Sequence, residues 1–161
     1  MSPSSLPSPE VRSRLRQWWG RLRAQGYRRT APREAVVRVL AESDRALEAM
    51  EIFQQARTYY RRLGLVTVYR TLDKLAEVGL IQRVHRPNGC GAYVAAREGH
   101  VHLVICLRCG RVDYFDGDDI GPLMDRVAQQ SGFVVQDHWL QFFGLCQQCQ
   151  REIRPADPST P

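Results

Sequence analysis

Apolar residues recur at helical spacing along most of the first hundred positions. Val11, Leu15, Trp18 or Trp19, and Leu22 form one stripe that stops at Gly26, which predicts a first helix with a basic outer face. Thr30 followed by Pro32 suits a cap and a proline in the first turn, and Val36, Val37 and Leu40 supply the inward stripe of a second helix running to about Ser43. Ala49, Ile52, Phe53, Ala56 and Tyr60 repeat the pattern in a third helix that ends near Gly64. A fourth, from about Val66 to Val78, puts Val68, Leu72, Leu75 and Gly79 on one face and Thr67, Arg70, Thr71 and Lys74 on the other.

The period then shortens. LIQRVHR and AYVA flank Pro87-Asn88-Gly89, a turn signal, so a hairpin follows the fourth helix. Three helices, a polar basic helix and a hairpin make a winged helix-turn-helix. Beyond Gly99, HLVIC and RVDYF are β-like runs around Leu107-Arg108-Cys109-Gly110. Asp116 to Asp119 read as a loop and helix start, and Ile120, Leu123, Met124 and Val127 as the stripe of a fifth helix ended by Gly132. Phe133-Val-Val and Trp139 to Leu145 are strand-like again and lead to Cys146. The fold class is therefore α+β: a winged helix over 10–97, then a small α/β domain over 98–153. The Ser/Pro-rich stretches 1–9 and 154–161 are expected to be disordered tails.

Charge separates the same two halves. Residues 1–97 hold 18 Lys and Arg against 8 Asp and Glu, and residues 98–161 hold 5 against 9, so the first half is the candidate polyanion binder. No apolar run approaches the roughly 20 residues that span a bilayer, and the start of the chain has no signal-peptide pattern. A cytoplasmic location and no membrane partner are expected. In a reducing cytosol five cysteines are read as metal ligands or redox groups rather than as a disulfide framework.

Their spacing points to a metal. Cys106-x-x-Cys109 and Cys146-x-x-Cys149 are two close pairs, and two such pairs complete the tetrahedral four-thiolate shell of structural zinc. Zinc here would substitute for a large core, tying the start of the second half to its end. The competing reading is a thiol redox protein, whose C-x-x-C pair usually sits at a helix start after a strand. His100 and His102 share one face of a strand and can reach one cation, with His138 a third candidate. Asp113, Asp116, Asp118 and Asp119 could complete that shell, or simply cap a helix. Nothing resembles a small-molecule substrate site, so no enzymatic activity is expected.

Taken together, GYRRTAPREAVVRVL, GLVTVYRTLDKLAEVGLI, HVHLVICLRCGRVDYF and DHWLQFFGLCQQC resemble the ferric uptake regulator family in order and spacing, over about Gly26 to Gln150. The resemblance makes 98–153 the dimerisation domain and implies a homodimer whose winged helices bind a palindromic double-stranded DNA operator, usually as a metal-bound repressor. It implies that Cys106, Cys109, Cys146 and Cys149 hold structural zinc. It also implies that Thr67, Tyr69 and Arg70 open the recognition helix in the major groove, that Arg28 reaches into the minor groove, and that Arg33 contacts phosphate. Arg suits guanine, Tyr a thymine methyl, and Thr a phosphate or base edge.

Departures from the family pattern are equally informative. The positions of the usual regulatory metal site fall at Ala46, Val94 or Ala96, Val101 and Leu103, none of which can ligate a metal. The neighbouring site keeps His100, His102 and His138, but its usual Glu falls at about Gly121. Cys90 and His85, at the two ends of the wing turn, suggest a displaced sensor site shared with His100 and His102. Thiolate and imidazole donors favour zinc over iron(II) or manganese as the second metal. A zinc-responsive repressor of metal uptake genes, like the zinc uptake regulators of the family, is the leading expectation, with an iron- or peroxide-responsive repressor as the alternative.

Overall fold

The computed structural model describes residues 7–87, 89–97, 99, 101–116 and 120–153. Among these residues there are six helices and two three-stranded sheets. These divide into two compact units, Met1–Arg97 and Glu98–Pro161.

Helix α1 (Pro9–Ala24) opens the first unit one residue inside the expected N-terminal tail. Pro9 occupies the first turn, where its missing N–H costs nothing, and the Ser8 hydroxyl accepts from the Val11 N–H at 3.3 Å. Trp18, Trp19 and Leu22 are buried on its inner face. Two arginines staple its outer edges: Arg14 donates to the Ala41 carbonyl at 2.9 Å and Arg21 to the Val78 carbonyl at 2.8 Å. Helix α2 (Ala31–Glu42) starts after Thr30, which makes no side-chain cap bond, and buries Val36, Val37 and Leu40 as expected. Next come strand β1 (Leu47–Glu48), helix α3 (Ala49–Tyr59) and helix α4 (Leu65–Glu77).

Helix α4 buries Val68, Leu72 and Leu75. Thr71, assigned to the polar face by the pattern, is buried instead, and its hydroxyl donates to the Thr67 carbonyl at 2.7 Å. That bond to the preceding turn lets a threonine enter the core without an unmet donor. Gly79 then takes φ +66°, a conformation that glycine adopts without penalty, and turns the chain into strand β2 (Ile81–His85). Strand β3 (Gly91–Ala95) pairs with β2 in the register Ile81↔Ala95 to His85↔Gly91, and with β1 on its other edge, so the antiparallel order is β1-β3-β2. The two-residue β1 escapes the sequence pattern because the pairing with β3 alone creates it. Arg86 secures this corner, donating to the Ala46 carbonyl at 2.7 Å and to the Glu48 carboxylate at 3.2 Å.

The second unit is built on β4 (Val101–Cys106), with β5 (Val112–Asp116) antiparallel on one side and β6 (Gln141–Gly144) parallel on the other. Helix α5 (Gly121–Ser131) lies in the crossover, and α6 (Gln147–Ile153) follows β6. The strand expected at Phe133-Val-Val is irregular backbone, and that expected from Trp139 to Leu145 shrinks to Gln141–Gly144. Neither Phe133 nor Val134 has a strand to pair with or a surface to cover, at 75% and 86% exposure. The expected stripe of α5 is present, yet the helix buries no residue, and Leu123 and Val127 face solvent.

This unit buries few apolar side chains, chiefly Leu103, Ile105 and Val112. At about 1.5–3 kcal/mol per large side chain, so small a core cannot offset the ordering entropy of the unit. Cys106 and Cys149 are buried beside this small core.

Candidate functional site

Both cysteine pairs occupy the ends of β4 and β6. Cys106 closes β4, and its carbonyl accepts from the Gly110 N–H at 2.9 Å while its N–H donates to the Arg111 carbonyl at 2.8 Å. Gly110, at φ +76°, supplies the left-handed residue that lets the chain double back into β5. The parallel partner β6 brings up the second pair. Leu107 N–H donates to the Gly144 carbonyl at 2.8 Å, and Cys146 N–H donates to the Cys106 sulfur at 3.4 Å. Arg108 locks the two knuckles together by reaching the Cys149 carbonyl at 3.3 Å and the Glu152 carboxylate at 3.1 Å.

The four sulfurs lie within 4.8 Å of one another, and Cys109 and Cys146 are 3.7 Å apart. Tetrahedral zinc with bonds of about 2.3 Å requires sulfurs about 3.8 Å apart, so the donor set fits that ion. Proton affinities diverge sharply across the cluster. Burial opposes ionisation of Cys106, but the backbone N–H groups of Cys109, Cys146 and Arg108 outweigh it and bring the thiol down to about 6. Cys149 is pushed up to about 12 by burial and by its bonds to the other three sulfurs. A cation held among the sulfurs would offset the charge of the thiolates that ligate it. The second pair does sit at a helix start after a strand, the position associated with redox dithiols. Convergence of all four thiols is what distinguishes it from an isolated dithiol.

His102 and His138 form the second cluster of the same unit. They come from β4 and from the segment before β6, and their ring centroids are 5.4 Å apart. The Nε2 atoms of both are buried. Phe115, the register partner of His102 on β5, packs 5.4 Å from it and 5.6 Å from Phe142. Phe115 thus flanks His102, with Phe142 packed beyond it, and only strand alternation marks the two phenylalanines in the sequence. His100, Asp118 and Asp119 lie outside the described residues. Asp113 faces Arg111 at 3.6 Å, and Asp116 is exposed at the end of β5.

In the first unit, α4 presents Val66, Tyr69 and Arg70 to solvent, with Thr67 half-buried beside them. Arg28 is exposed on the arm joining α1 to α2, and Arg33 donates to the Arg28 carbonyl while lying over the Tyr27 ring at 5.8 Å. Lys74 of α4 sits over the same ring at 5.3 Å, so Tyr27 ties the arm to the helix. His85 and Cys90 are exposed at the two ends of the β2–β3 turn, and the Cys90 carbonyl accepts from Arg86 N–H at 3.2 Å. Asn88, in that turn, lies outside the described residues.

Residues 24–143 match the model of the ferric uptake regulator family. The chain belongs to that family. The ferric uptake regulation protein of Bacillus subtilis is 32% identical over 132 residues, covering 80% of this chain and 89% of that one. Among solved structures, a zinc uptake regulator complexed with zinc and DNA superposes with a TM-score of 0.71 at 26% identity, covering 88% of this chain and 96% of that one. The Helicobacter pylori ferric uptake regulator, described as having three functional metal-binding sites, gives 0.62 at 25% identity, covering 91% and 97%. Members of the family are metal-responsive transcription regulators. Among the described residues no helix is long and apolar enough to cross a membrane.

Proposed function

We propose that this family member is a zinc-responsive repressor that binds a palindromic operator as a homodimer, with structural zinc in the four-cysteine site. The observation that carries the DNA reading is the outward face of α4. Tyr69 and Arg70 stand clear of the core on a helix anchored by Val68, Leu72 and Leu75, in the unit that holds the excess of basic residues. In this reading α4 is the recognition helix of a winged helix-turn-helix and β2–β3 its wing. Arg70 donates both guanidinium edges to a guanine, Tyr69 packs against a thymine methyl, Thr67 and Arg33 steady the backbone, and Arg28 enters the minor groove. The relative solved with zinc and DNA supports this assignment.

Dimerisation is supported by apolar surface that a single chain leaves uncovered. Val104 and Phe142, register partners on β4 and β6, are exposed together with Leu123 and Val127 of α5. A second copy covering these side chains would add apolar burial to a unit whose own core is small. The effector metal is assigned to His102 and His138, which the second unit brings together. Metal held there favours the dimer geometry whose two recognition helices match the operator half-sites.

Iron is the second reading, favoured by the ferric uptake regulation proteins among the relatives. Operator selection from genomic DNA with zinc, iron(II), manganese or chelator separates the two. Zinc-dependent enrichment of a palindrome supports the proposal; enrichment with iron(II) alone assigns iron, and enrichment unaffected by chelator removes metal control altogether.

A further inference from the structure

A groove of about 480 Å³ runs between α1 and the start of α2, outside the elements assigned to operator reading. Arg12, Arg16 and Arg23 line it from one face of α1, with Leu15 and Trp19 between them and Arg29 on the facing arm. Most of this wall precedes residue 24, where the match to the family model begins. Glu34 and Arg38 complete the lining, and the charge there divides in two. Arg29 is forked onto Glu34 and lies over the Trp19 ring at 5.4 Å, and Arg38 is paired with Glu42 at 2.7 Å, so both are largely neutralised. The other three keep their charge. Arg12 donates to the Pro7 carbonyl and Arg23 to the Trp19 carbonyl, neutral acceptors, and no carboxylate pairs with either of them or with Arg16 among the described residues.

Helical rise spreads Arg12 to Arg23 over about 17 Å, comparable to the axial rise of five nucleotides of duplex DNA at about 3.4 Å each. The groove is also continuous with the proposed reading head. Arg29 lines it, Arg28 is the next residue on the arm, and Tyr27 after that touches Lys74 of α4. Resting on the DNA reading above, we infer that this α1 groove is a second, sequence-independent contact that grips the phosphate backbone of the duplex flanking the operator half-site. The α1 arginines carry the contact, while the Arg29–Glu34 pair shapes its floor.

Salt dependence separates this contact from base reading. Binding of the full-length, metal-loaded protein is measured by fluorescence anisotropy across a range of salt concentrations, on a duplex holding the selected operator with long flanks and on a random duplex of equal length. Arg16→Gln, at an exposed residue, is expected to lower the slope of log affinity against log salt by about 0.9 for each phosphate it no longer neutralises, doubled in a dimer. Affinity falls alike on operator and random DNA, so their ratio is kept, and Arg16→Lys restores the slope. An Arg16→Gln/Arg23→Gln protein that folds, binds the operator and retains the wild-type slope overturns this inference alone. A wild-type protein that binds no duplex overturns the DNA reading and this contact with it.

Discussion

The imidazoles of His102 and His138 face each other across 36 residues of sequence, their centroids 5.4 Å apart and their planes tilted by 54°. One is fixed in the middle strand of the second sheet and the other arrives on irregular backbone before β6. Two neutral imidazoles at this separation can turn their nitrogens toward one cation.

Replacing His138 therefore removes one of two metal equivalents. His138→Ala is expected to bind one zinc per chain instead of two, with the loss at the weaker site, as read by titration against a competing chelator. A His138→Ala protein that still takes up two equivalents with unchanged affinity contradicts the assignment.

If the four thiols hold structural zinc, as proposed, the stability of the second unit should depend on them. Cys106→Ser is expected to abolish tightly held zinc, read by elemental analysis, and to melt that unit while the large core of the first unit stays folded. Calorimetry should show an early transition separated from a late one. A single unshifted transition in zinc-free protein contradicts the staple.

Arg86 makes a third case. It supplies charge-assisted hydrogen bonds to the Ala46 carbonyl and the Glu48 carboxylate at the corner between α2 and the first sheet. Arg86→Ala strands the carbonyl of the buried Ala46 and is expected to cost about 1–3 kcal/mol, measured by denaturant unfolding with unchanged zinc content.

Much of this architecture is legible in the sequence because local pattern and tertiary structure agree. The stripes of α1 to α4, the hairpin around Pro87 and the two cysteine knuckles each follow from spacing within one segment. Misreadings concentrate where a distant partner decides. Thr71 is the local exception: it looks polar on a helical projection, but its hydroxyl bonds within its own helix, so it enters the core. Strand β1 exists only because β3 offers it an edge. The stripe of α5 is amphipathic in sequence and helical in structure, yet none of its residues is buried. Helix α6 has no apolar stripe to betray it and is held by Arg108 and by the bond from Gln150 N–H to the Cys146 carbonyl. The pairing of His102 with His138 requires the β4–β6 pairing, which no local signal specifies.

Metal-dependent, sequence-specific DNA binding by α4 is the central claim. Its most direct measurement is the affinity of wild type and Arg70→Ala for the selected operator and for random duplex, with saturating zinc and with chelator. The account predicts tight wild-type binding to the operator only with zinc, and a loss in Arg70→Ala of about 1–3 kcal/mol of operator preference with affinity for random DNA nearly unchanged. Equal affinity with and without zinc, or an equal loss on both duplexes, would contradict it.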